Sequence, residues 1–186
     1  MQTQPHHYKK QPMHDGQKEL LLGKTLPMQI DAEKSVLGAV LLDDTVFHTL
    51  EETLQPEDFY VPAHQIIFKN MLTLSRGNQR IDMITLQDLL QKEGELPAVG
   101  DVAYLIELQE NIPSFGMLEQ HVAIIRSKAV LRNLISSSID IITSCYNQNE
   151  TEITAVIDEA EKKIFQIIHN RSKLICCKKI QLESNY

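Results

Sequence analysis

Apolar residues fall into helical rather than alternating steps along most of this chain. From Asp31 the inner positions are Val36, Leu37, Val40 and Leu41, spaced for one face of a helix that Asp31 is placed to cap. Val46, Phe47, Leu50 and Leu54 mark a second helix, stopped by Pro56. Val61-Pro62 suits the start of a third, since proline is tolerated in a first turn. It would bury Ile67, Phe68, Met71 and Leu74 and end at Gly77 in a left-handed cap. Thr85 with Asp88 reads as a fourth start before Leu86, Leu89 and Leu90, with Gly94 at the end. Pro97 and Gly100 mark a turn. A short helix follows with Val102, Leu105, Ile106 and Leu108, broken by Pro113.

Past Pro113 the spacing lengthens. Ser114 is placed to cap one helix running to about Tyr146, with no proline or glycine after Gly116. At 1.5 Å per residue it would reach about 45 Å, too long for a small globule to cover. Its apolar positions include Leu118, Val122, Ile125, Ala129, Leu134, Ile135, Ile142 and Cys145. A polar turn at Asn147-Gln148-Asn149 and a cap at Thr151 lead to a last helix. There Ile153, Ile157, Ala160, Ile164 and Ile167 alternate steps of four and three, the narrow seam of paired helices. The pattern predicts an all-α chain: a tail over 1–25, a compact helical globule over 26–113, a long antiparallel helical hairpin over 114–168 and a divergent tail over 169–186. A lone hairpin leaves apolar surface exposed. The expectation is self-association through the five-residue seam, against the alternative that the seam packs on the chain's own globule.

Composition narrows the function. The 186 residues carry a formal net charge of -7, which opposes unaided binding to a phosphate backbone. Only Arg171, Lys173, Lys178 and Lys179 cluster, and a solvated basic tail accounts for them. No apolar run is long enough to span a bilayer, and no secretion signal opens the chain. The three cysteines have no metal-type spacing, so free thiols in a reducing cytoplasm are expected.

Candidate chemistry is sparse. Gly23-Lys24-Thr25 resembles the end of a phosphate loop, but Lys18 stands where such a loop needs its first glycine, and Pro27 interrupts the helix that must follow. His6 and His7 read as solvated tail residues. His64 and His121 lack converging ligands for zinc, and His64 reads as a partly buried residue near a helix start. Glu57-Asp58 reads as a cap or a solvated loop pair rather than a catalytic dyad. No catalytic, cofactor or metal residue is expected.

Several segments, in order, carry a resemblance. They are Ala32-Glu33-Lys34-Ser35-Val36-Leu37-Gly38-Ala39-Val40-Leu41-Leu42-Asp43, Asp58-Phe59-Tyr60, His64-Gln65-Ile66-Ile67-Phe68, Ile81-Asp82-Met83-Ile84-Thr85-Leu86, Val99-Gly100-Asp101-Val102-Ala103-Tyr104-Leu105 and Ile112-Pro113-Ser114. Together they resemble the N-terminal domain of the bacterial replicative DNA helicase, the DnaB family, over about Leu26 to Ile168. His121 departs from the aromatic residue more usual there, with altered local packing expected. The resemblance implies a globule and hairpin whose pairs build a collar on a hexameric ring and offer a docking surface to DnaG-type primase. It also implies that ATP, Mg and unwinding belong to a RecA-like motor that does not follow before Tyr186. A truncated gene, a frameshifted product or an excised piece would each give this ending. The alternatives are a stand-alone helical adaptor or regulator of primase or helicase, and an independent small enzyme.

Overall fold

The computed structural model describes residues 22–110, 117–146 and 153–167. Helices α1 (Ile30–Leu42), α2 (Phe47–Thr53), α3 (Pro62–Arg76), α4 (Met83–Lys92) and α5 (Asp101–Glu110) form the globule. Helix α6 (Leu118–Tyr146) is 29 residues long, about 43 Å. Helix α7 spans 153–167, and no strand occurs among the described residues. The predicted caps at Ser114 and Thr151, the break at Pro113 and the polar turn at 147–149 lie outside those residues.

Helix α1 is the centre of the globule. It packs against α6 on one side and α5 and α3 on others. Nine of its 13 residues are buried, including the expected Val36, Leu37, Val40 and Leu41. Around it, Phe68 meets Phe47 at 5.4 Å and Phe59 at 5.0 Å between ring centroids. Tilted rings at that spacing add quadrupole attraction to their burial. Leu50, Leu54, Met71, Leu86, Leu90, Leu105 and Leu108 complete one continuous aliphatic core.

The helix ends correct several expectations. Helix α1 begins one residue before Asp31. Its N-cap is Gln29, which makes no side-chain cap bond, and Asp31 sits in the first turn, where a carboxylate favours the helix dipole. Helix α3 does not end on a left-handed Gly77, whose φ is -81°. Asn78 takes that conformation at φ 51°. The Gln79 amide donates to Leu74 O at 3.0 Å and the Asn78 amide to Ser75 O at 2.9 Å, so the closing motif lies one residue later. Gly94 does close α4 as expected, at φ 69°. The start of α4 is Asp82, not Thr85: the Asp82 carboxylate accepts from the Ile84 and Thr85 amides, and Thr85 Oγ1 accepts from the Asp82 amide. Thr85 is the reciprocal member of that capping box.

In α5, Leu105 and Leu108 are buried but Ile106 is exposed, because the helix contacts the core with a narrow stripe. In α6, Val122, Ile125 and Ala129 are buried, while Leu134, Ile142 and Cys145 are exposed. The latter three lie on turns of α6 facing away from both the globule and α7. Helix α7 runs back along α6 as the second arm of an antiparallel hairpin. Lys163 bridges the arms, with Nζ 3.6 Å from Asp140 and 3.2 Å from Glu159.

Candidate interaction surface

Two polar clusters fix where the hairpin stands. The first is buried inside the globule. Glu33, on α1, accepts from the Tyr60 amide at 2.7 Å and the Val61 amide at 3.3 Å. Its Oε2 lies 2.7 Å from His64 Nδ1, and His64 Nε2 lies 2.8 Å from the Tyr104 hydroxyl. The carboxylate only accepts, which assigns the proton to Nδ1 and leaves Nε2 to accept from Tyr104. Burial pushes the Tyr104 hydroxyl above its ordinary value, so it stays a donor. His64 is fully buried, not partly so, because Glu33 satisfies it.

A Glu–His–Tyr chain has the parts of acid–base chemistry but no access. Glu33 and His64 are sealed from solvent. Two surface grooves of about 510 and 570 Å³ lie elsewhere, one beside α4 and the other on α7. The cluster instead locks α1, α5 and the start of α3 together. Local pattern did signal Glu33: a charge stands inside the apolar stripe that continues through Val36, Leu37 and Val40. Its partners, 27 to 31 residues on, have no local signal.

The second cluster joins globule to hairpin. Arg132 is buried on α6 and donates from Nη1 to Pro27 O at 2.9 Å and from Nη2 to Asp58 O at 2.6 Å. Its guanidinium also lies 5.8 Å from the Tyr60 ring centroid, a cation–π contact. Asp58 accepts from the Gln55 amide at 2.9 Å, the capping role expected for it, while Glu57 is exposed. Burial raises the Asp58 carboxyl above its usual value, opposed by that amide and by the charges of Arg126 and Arg132. Arg132 went unseen in the sequence because it is polar, yet it falls three residues after Ala129 and seven before Ile139, in register with the buried positions. His121 Nδ1 lies 2.8 Å from the buried Ser35 hydroxyl, tying α6 to α1.

The candidate seam lies on α7. Ile153, Ile157 and Ile164 are 61%, 53% and 46% exposed within one copy, and Ala160 and Ile167 are half-buried. The side of α7 turned to α6 is Val156, Ala160, Lys163 and Ile167, so Ala160 and Ile167 border both faces. Gly23 has a φ of 60°, and the chain after Lys24 is irregular until α1 begins at Ile30. No group of three or more His, Cys, Asp or Glu among the described residues is placed to hold a metal ion. No described helix is long and apolar enough to cross a membrane.

A helical globule carrying a rigid hairpin, with its acid–base groups sealed and its apolar residues outward, defines a docking domain. The family described as the DnaB-like helicase N-terminal domain matches residues 25–127, more than half of the chain, and the chain belongs to that family. The replicative DNA helicase DnaB of Pasteurella multocida is 39% identical over 155 residues, covering 83% of this chain and 33% of that protein. The corresponding helicase of Geobacillus stearothermophilus is 38% identical over 149 residues, covering 80% of this chain and 33% of that one. The chain thus spans about a third of the length of these relatives. The crystal structure of the N-terminal domain of DnaB helicase from Mycobacterium tuberculosis superposes with a TM-score of 0.72 at 30% identity, covering 76% of this chain and 99% of that one. A DnaB-like replicative helicase whose structure was described with its interactions with primase gives 0.61 at 26% identity, covering 82% of this chain and 35% of that one.

Proposed function

We propose that this chain acts as the collar and interaction domain of a replicative DNA helicase in the cytoplasm. Copies pair through their hairpins, the pairs assemble a ring that is hexameric in the whole protein, and the assembled hairpins receive a DnaG-type primase. ATP and Mg are the business of a RecA-like motor outside these residues, and the domain by itself holds no cofactor and has little affinity for DNA. The observation that carries this reading is the outward seam of α7. Three isoleucines stay exposed although the globule has its own complete core. An apolar stripe of this spacing is stabilised by a second helical surface.

Sedimentation of the whole chain tests it. The wild-type chain is expected to sediment as a dimer or larger species. Replacing Ile157→Asp and Ile164→Asp together would bury two unpaired charges in the pairing surface, at a cost of several kcal/mol. The expected result is a monomer with unchanged helical content. A wild-type chain that stays monomeric at high concentration would overturn the pairing.

A further inference from the structure

The long helix α6 carries a second exposed seam, separate from that of α7. Positions 117, 121, 124, 128, 131, 135, 138, 142 and 145 alternate steps of four and three along its whole length. Met117, Ile124, Leu131 and Ile142 on this line are between 37% and 55% exposed, and Lys128 and Ile135 are half-buried at its margins. The line runs one residue behind the buried one through Val122, Ile125, Ala129, Arg132 and Ile139, hence about 100° around the helix from it. The globule and α7 use the buried line and leave the other open.

We infer that this outer seam of α6 pairs with the same seam of a second copy, antiparallel, in a register centred on Leu131. The inference rests on the reading above that copies of this chain associate. Length argues for the occupant: a seam of about 43 Å needs a helix equally long, and among the described elements only α6 itself has 29 residues. Charge argues for the direction. Lys128 is the only acidic or basic residue on the seam, and no described residue forms an ion pair with it. A parallel pair would set Lys128 against Lys128 and His121 against His121, a like-charge juxtaposition that helix pairs avoid. Reversal about Leu131 sets Lys128 against Ile135, Ile124 against Ser138 and Met117 against Cys145. Each ammonium then runs its stem over an apolar neighbour and reaches solvent. The two lysines sit six residues apart along the axis, about 9 Å.

Disulfide trapping tests this register in the full chain, with Cys145→Ser, Cys176→Ser and Cys177→Ser as background. Under mild oxidation Leu131→Cys is expected to form a covalent dimer roughly tenfold or more faster than Ile84→Cys, an exposed position on α4 that reports random collision. Lys128→Cys alone is expected to cross-link no faster than that control, since the pair would stand beyond disulfide reach. Mixed with the Ile135→Cys chain, it is expected to cross-link as Leu131→Cys does. Equal trapping at Lys128→Cys and Leu131→Cys would overturn the antiparallel direction. Trapping at Leu131→Cys no faster than at Ile84→Cys would overturn the interface. If that failure comes with a wild-type assembly that Ile157→Asp and Ile164→Asp dissociate, association stands through α7 and only this inference falls. A monomeric wild type would remove both.

Discussion

Glu33 holds three groups with one carboxylate, so its removal leaves more than its own absence. In Glu33→Ala the His64 ring and the Tyr60 and Val61 amides lose their acceptor inside the core. Uncompensated buried polar groups of this kind cost about 3–5 kcal/mol together. Denaturant unfolding should show that loss with an unchanged slope, and Lys34→Ala, at an exposed ion pair with Glu107, should cost under about 1 kcal/mol. Asp82 gives a smaller effect with a pH signature. The Thr85 amide, first among its hydrogen bonds, holds its carboxyl below the ordinary value. A lowered native value means the ionised cap stabilises fully above the ordinary carboxylate range, and the contribution is lost as pH falls through the native value. Asp82→Ala should therefore cost about 1 kcal/mol near neutral pH. The gap from wild type should shrink toward zero in strong acid. A gap independent of pH would show that the carboxylate is not the cap. The sequence offered both aspartates, 31 and 82, as caps of equal merit. It could not rank them, because backbone geometry at Gln29 and at Asp82, set by packing, decides which side chain reaches an amide.

The helices themselves were legible because breakers and apolar spacing agree. Pro56, Pro62 and Gly94 fall where elements stop or start, and the stripes between them meet in one core. Less legible was how a helix divides its faces. Helix α6 has two apolar lines one residue apart, and a list of its hydrophobic positions mixes them: Val122 and Ile125 face in, Leu134 and Ile142 face out. A polar residue marks the inward line. Arg132 spans Pro27 O and Asp58 O with separate nitrogens of one planar group, which a single ammonium cannot reproduce. Arg132→Met should destabilise the chain by about 3 kcal/mol, since both carbonyls lose a charged donor. Arg132→Lys should recover less than half of that. Hydrogen exchange provides the element-level check: protection should fall first at residues 56–58 and along α6, while α4 keeps its protection. Uniform loss across all helices would mean that Arg132 supports the core at large and is no special joint.

At the scale of the whole molecule, charge separates the partners this domain can take. A net charge of -7 sets a repulsive background for any polyanion, and three basic side chains on the globule are committed to Lys69–Glu95, Arg80–Asp44 and Lys92–Asp88. Nucleic-acid affinity grows with the number of phosphates that Lys or Arg can neutralise, and it falls steeply with salt. A protein partner faces no such requirement. Rigid paired helices present it with fixed apolar and charged positions, and weak binding by one copy is strengthened when several copies stand in one assembly. The spacing of the seams was readable from the chain; which surface stays open after assembly was not, because that depends on a second molecule. Titration of single-stranded DNA at moderate salt should therefore give at most weak, salt-sensitive binding. Titration of the cognate primase should give saturable binding that survives the same salt and weakens when Ile157→Asp and Ile164→Asp dissociate the copies. Tight, salt-dependent DNA binding with no response to primase, found also in the assembled full-length ring, would defeat the docking role.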